Sequence, residues 1–97
     1  MKMFDKLRIE EARDELLPKI KHMNPTIIED SSKRFYASIQ VKDRKVEIKL
    51  ISLHRNSVTV DVIDPFGFIR IPRKTFKKKE DFQLFIMMDI SKIYNAI

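Results

Sequence analysis

Between Phe35 and Ile71 the apolar side chains recur at every second position, in runs separated by polar turns. Phe35, Ala37, Ile39 and Val41 form one row, Val46, Ile48 and Leu50 a second, Val58, Val60 and Val62 a third, and Ile69 with Ile71 a fourth. A period of two puts every member of a row on one face of a strand. Four such rows predict an antiparallel meander with one face buried and the other polar. Asp43-Arg44 reads as a short turn, and Leu53 to Ser57 as a loop. Asp64-Pro65-Phe66-Gly67 has the residue choices of a type I turn, with Asp first, Pro second and Gly fourth. Tight hairpins then pair Ile39 with Ile48, Leu50 with Val60, Val62 with Ile69 and Val60 with Ile71. Each pair is apolar on both sides, so the register agrees across three hairpins.

Helical spacing flanks this region. Ile9, Ala12, Leu16, Ile20 and Met23 fall on one stripe of a 3.6-residue period, which predicts a helix from Asp5 to Met23. Glu15 and Lys19 form an i,i+4 pair on its wet face. Pro18 removes a backbone donor and crowds the carbonyl of Asp14, so a kink or break is expected there. Asn24-Pro25 is a stop signal. Thr26 to Arg34 reads as a connection in which Ile27 and Ile28 either anchor a loop or form a short extra strand. The last helix is expected from Lys79 to Ala96, with Phe82, Phe85, Ile86, Ile90, Ile93 and Ile97 on its main stripe. Leu84, Met87, Met88 and Tyr94 add apolar groups on its other sides, so it either lies between sheet and first helix or carries a homodimer contact. The expected architecture is a single α+β domain over residues 1–97, in the order α-β-β-β-β-α.

The absence of Cys excludes disulfide frameworks, thiolate metal sites and cysteine nucleophiles. The N-terminus has no apolar signal core, and the longest apolar run, Leu84 to Met88, is far too short to span a membrane. A cytoplasmic protein without membrane partners is the expectation. A lone glycine, Gly67, rules out Walker and dinucleotide-binding loops. His22 and His54 stand 32 positions apart, outside any metal-ligand spacing. Glu47-Ile48-Lys49 resembles the acidic-x-Lys strand of metal-dependent nucleases, with Asp30, Glu10 or Glu11 as further ligands. A chain this charged contains about two such triplets by chance. Two occur, the other being Asp43-Arg44-Lys45. No enzyme activity, metal or cofactor is expected.

On the polar face of the sheet, the expected register sets Ser38, Lys49, Asp61 and Arg70 in one row. Gln40, Glu47, Ile63 and Phe68 form the next, and Tyr36, Ile51 and Thr59 another. Lys49 and Arg70 flanking Asp61 neutralise their own row, which argues against a base-stacking sheet surface.

One segment points outward. Arg70, Arg73, Lys74, Lys77, Lys78 and Lys79 lie within ten residues, and the other 14 Lys and Arg balance the 14 Asp and Glu. The whole formal charge of +6 is thus concentrated between the fourth strand and the last helix. Lysines before a helix oppose its dipole, whereas Glu80 and Asp81 suit it. Such a junction, with Thr75 able to cap the helix or donate a hydroxyl, suits a phosphate or another anion. Phe76 reads as a core plug or hydrophobic staple. The expected function is contact with nucleic-acid backbone, DNA or RNA, without base readout. The alternative is a protein-interaction module, such as a regulator or inhibitor from a mobile element, docking on an acidic protein.

Overall fold

The computed structural model of the protein describes residues 6–95. The expected helix start at Asp5, the contributions of Ala96 and Ile97, and the Tyr94 side chain lie outside what it describes. Lys6 to Arg8 are not helical, Arg8 being extended, and Leu7 is used elsewhere. Its side chain is buried and its amide donates to the Asn56 carbonyl at 3.0 Å. Helix α1 (Ile9–Ile20) follows, with the Glu11 carboxylate accepting the Arg8 amide at 3.2 Å. The expected stripe is the buried one: Ile9, Ala12, Leu16 and Ile20, then Met23. Pro18 does not break the helix. It is exposed, and the chain tightens only afterwards into a 3₁₀ turn over Lys21–Met23. Asn24 supplies the left-handed residue (φ 48°) that ends it.

The sheet has five strands, not four: β1 (Thr26–Asp30), β2 (Arg34–Val41), β3 (Arg44–Ile51), β4 (Val58–Ile63) and β5 (Lys74–Phe76). They are antiparallel and adjacent in chain order. The segment with Ile27 and Ile28 is the extra strand. Its pairing skips Ile28, which bulges out. A bulge and the charges of Glu29 and Asp30 blunt what would otherwise be an open edge.

Two expected registers move. The β2–β3 turn closes at Lys42-Asp43, with Lys42 at φ 56°, so Ile39 faces Val46 and Ala37 faces Ile48. This two-residue slip keeps every side chain on its expected face. The fourth expected strand fails. Asp64 to Gly67 does turn, with the Gly67 amide on the Asp64 carbonyl at 3.0 Å and Gly67 at φ 73°. The Asp64 carboxylate, however, accepts the amides of Phe66, Phe68 and Ile69 at 2.9–3.1 Å. Those donors are therefore lost to any ladder, Pro72 offers none, and pairing resumes only at Lys74. Val60 consequently faces Lys74, while Ile69 and Ile71 are buried from a loop.

The last helical run is α2 (Lys79–Phe85), a widened π turn (Ile86–Ile90) and α3 (Ser91–Asn95). It lies beside α1, and both run in the same direction over one face of the sheet. Gln83 donates to Glu15 at 3.0 Å, and Ile86 and Ile90 lie near His22 and Met23. The core is the layer between these helices and the β2, β3 and β4 rows. Phe76 packs on Phe82 (5.6 Å between rings) and Phe85 (5.0 Å), which makes it the staple at the start of α2. Phe82 is fully buried in this aromatic group. Phe82→Ala is expected to cost about 3–5 kcal/mol, seen as a lower urea midpoint at unchanged slope. A loss under about 1 kcal/mol would contradict this packing.

Candidate functional site

The basic decapeptide does not form one surface. Arg73 grips Asp61 with two hydrogen bonds, Nε at 2.7 Å and Nη2 at 2.6 Å. Lys74 lies over the Phe85 ring and pairs with Asp89 at 3.2 Å. Lys79 pairs with Glu15 at 3.7 Å. Arg70 reaches only the Gly67 carbonyl, at 3.4 Å. Thr75 shares a hydroxyl–hydroxyl bond of 2.9 Å with Thr59 on β4, so it is neither a helix cap nor aimed at the junction. Lys78 is the residue preceding α2, with no side-chain cap, and Lys77 precedes it. Both are exposed and neither side chain has a hydrogen-bond or ion-pair partner among the described residues.

Topology adds cations that the decapeptide lacks. In a meander, alternate loops share an end. The β1–β2 loop, the β3–β4 loop and the exit from β5 therefore lie together, since Phe76 faces Val58. The Ser52 amide on the Lys33 carbonyl (3.1 Å) ties the first two loops, and Leu7 on Asn56 brings the N-terminal segment to them. This end thus gathers Lys6, Lys33 and Arg55 beside Lys77 and Lys78, all exposed and without carboxylate partners among the described residues. Nearby acids are mostly committed: Glu29 to Arg34 at 3.7 Å and Asp30 to Arg13 at 2.8 Å. Glu10, Glu11, Glu80 and Asp81 belong to the first turns of the helices. Sequence reading missed Lys33 and Arg55 because it weighed local charge density; the alternation of loop ends was the available signal.

The polar face of the sheet is self-contained. Lys49 lies over Tyr36 (4.5 Å) and faces Asp61. Arg73, not Arg70, completes that row, because β5 starts later than expected. The Arg73 hydrogen bonds, helped by Lys49 and opposed by burial, hold the Asp61 carboxyl below its usual range. Glu47 faces Ser38 and accepts from Tyr36, which raises the phenol's pKa. Asp30 is on the opposite, helix-covered face, held by Arg13, so Glu47 and Asp30 do not converge on a metal.

At the other end, the β4–β5 loop presents Phe66 (65% exposed) and Phe68 (74% exposed). Burying a phenylalanine is worth about 1.5–3 kcal/mol over leaving it in water, and the fold forgoes this twice. Asp64 beneath them is inaccessible, 3.6 Å from the Arg44 Nε, and the Arg44 guanidinium covers one side of Phe68 at 5.0 Å. Burial pushes the Asp64 carboxyl up. The amides of Phe66 and Ile69, the Arg44 charge and the Phe68 amide outweigh it, so the pKa lies below the usual value. A second exposed apolar group, Leu84, Met87 and Met88, crowns the last helix. No described helix is long and apolar enough to cross a membrane.

Compared with known proteins, the chain matches no family model, no curated protein and no solved structure at a significant level.

Because the native Asp64 pKa is depressed, its contribution is complete above the ordinary carboxylate value of about 4 and is lost as pH falls through the native one. Asp64→Asn is expected to lower thermal stability at pH 7 and to weaken the decline on acidification. Equal melting temperatures for the two proteins at pH 7 would contradict this role.

Proposed function

We propose that the chain is a small binding protein that holds nucleic-acid phosphate backbone along the end of its sheet where Lys33, Arg55, Lys77 and Lys78 meet. The observation carrying this reading is the grouping, at one end of the sheet, of cations from separate loops that have no carboxylate partner among the described residues. At about 4.8 Å per strand, that end spans roughly 19 Å, enough for several phosphates. Ammonium and guanidinium groups on loops neutralise phosphates without reading bases. Lys6 extends the row. Arg73, Lys74 and Lys79 are tied to carboxylates and act structurally in this reading, Thr75 closes the β4–β5 ladder, and Arg70 belongs to the opposite end.

Neutralising about four phosphates gives a log–log salt slope near −3 to −4. Lys77/Lys78→Glu is expected to weaken DNA or RNA binding strongly and flatten that slope. Lys19/Lys21→Glu, the same charge change at the end of α1 and the start of the turn after it, is expected to do much less. Equal losses in both variants, or no binding at low salt, would overturn the proposal.

A protein partner is the second reading, favoured by Leu84, Met87 and Met88, which are 52–68% exposed on one helix. Adjacent apolar groups on an exposed crest suit a partner surface or a second copy of the chain. Sedimentation equilibrium of wild type and Met87→Glu tests the homodimer. A concentration-dependent dimer lost in the variant supports it, and a monomer throughout rejects it.

A further inference from the structure

We propose that the β4–β5 loop is a stacking prong for unpaired bases, so that the nucleic acid held by this protein is single-stranded. The inference rests on the phosphate-binding reading and adds a second contact to it. Phe66 and Phe68 stand on either side of Gly67 with no ring contact between them. Apart from Gly67 itself and its two chain neighbours, no atom lies within 4 Å of where a Gly67 side chain would begin, so no other part of the fold fills the space beside the turn.

The rings are presented, not loose. Asp64 fixes the amides of Phe66, Phe68 and Ile69 from below, and buried Ile69 and Ile71 anchor the loop to the core. Arg44 covers one side of the Phe68 ring and leaves the rest to solvent. A surface ordered before binding loses little entropy when its ligand arrives.

Charge selects the occupant. Lys42 stands in the neighbouring β2–β3 turn, Lys45 follows it on β3, and Arg70 belongs to the loop itself; none of the three has a carboxylate partner among the described residues. Exposed aromatic faces among free cations are the chemistry of single-strand recognition, since every base has a π face and every nucleotide an anionic link. Duplex DNA keeps its bases stacked and offers these rings nothing. An acyl surface would use the apolar bulk of the side chains and not their aromatic faces.

The test uses single strands of about 12 nucleotides, one of deoxythymidines and one abasic with the same phosphates, each labelled and titrated at low salt. Wild type is expected to prefer the base-bearing strand by about 5-fold or more. Phe66→Leu and Phe68→Leu, which keep apolar bulk at exposed positions, are expected to fall to the abasic affinity while binding the abasic strand as before. Equal affinity of wild type for both strands would overturn the prong and leave phosphate binding intact. So would leucine variants that keep the base preference. Co-sedimentation with phosphatidylserine vesicles, unchanged in the leucine variants and without base preference, would assign the loop to lipid instead. Failure to bind either strand would overturn both readings.

Discussion

The carboxylate of Asp64 decides how the second half of this chain is arranged. It accepts the loop amides of Phe66, Phe68 and Ile69, and those amides cannot also pair with β4. The return strand is therefore postponed from Ile69 to Lys74. That delay carries Arg73 into reach of Asp61 and turns Phe76 inward onto Phe82 and Phe85. It also releases Lys77 and Lys78 at the end of the sheet shared with the β1–β2 and β3–β4 loops. The aromatic prong and the basic end are thus two consequences of one cap.

Net charge and available charge differ in this protein. The surplus lies in one decapeptide when counted along the sequence, yet half of its cations are spent on Asp61, Asp89 and Glu15. Exposed pairs of this kind stabilise little, and their effect is mainly to fix side-chain positions. What remains for a polyanion is assembled from different segments. Lys33 and Arg55 add nothing to local charge density, but the meander brings their loops to one end. A polyelectrolyte responds to that spatial grouping.

Face assignment was readable in the sequence because it depends only on parity. Phe35, Ala37, Ile39, Val46, Ile48 and Leu50 are buried as the alternation requires, although the β2–β3 turn sits one residue earlier than expected. Register across the β4–β5 connection was not readable. Ile69 and Ile71 have strand spacing and are buried, so the apolar pattern is the same for a strand and for a loop pinned from below. The difference lies in a side chain competing for backbone donors, and periodicity does not record such competition. β1 was half visible: Ile27 and Ile28 marked it, but a bulged edge strand shows no alternation. At the candidate site, Lys77 and Lys78 stood out as misplaced before a helix, whereas Phe68 was read as facing outward from a sheet row and stands instead on the loop beyond β4.

The two ends of the sheet differ in a way that bears on how a strand would lie. The end with Lys77 and Lys78 has cations and the exposed His54 imidazole but no exposed Phe among the described residues; the other has cations and two exposed Phe rings. Between them, the polar face is locked by Lys49, Asp61, Arg73 and Tyr36 into pairs that already satisfy one another. A flat stacking surface across the sheet would have to break those pairs and leave charges uncompensated. Contact at the ends disturbs none of them. A strand anchored by phosphate at one end and by a base at the other would span the face without needing it. In that proposal the sheet would serve as a rigid spacer, with the six-residue β4 setting the distance between the two contacts.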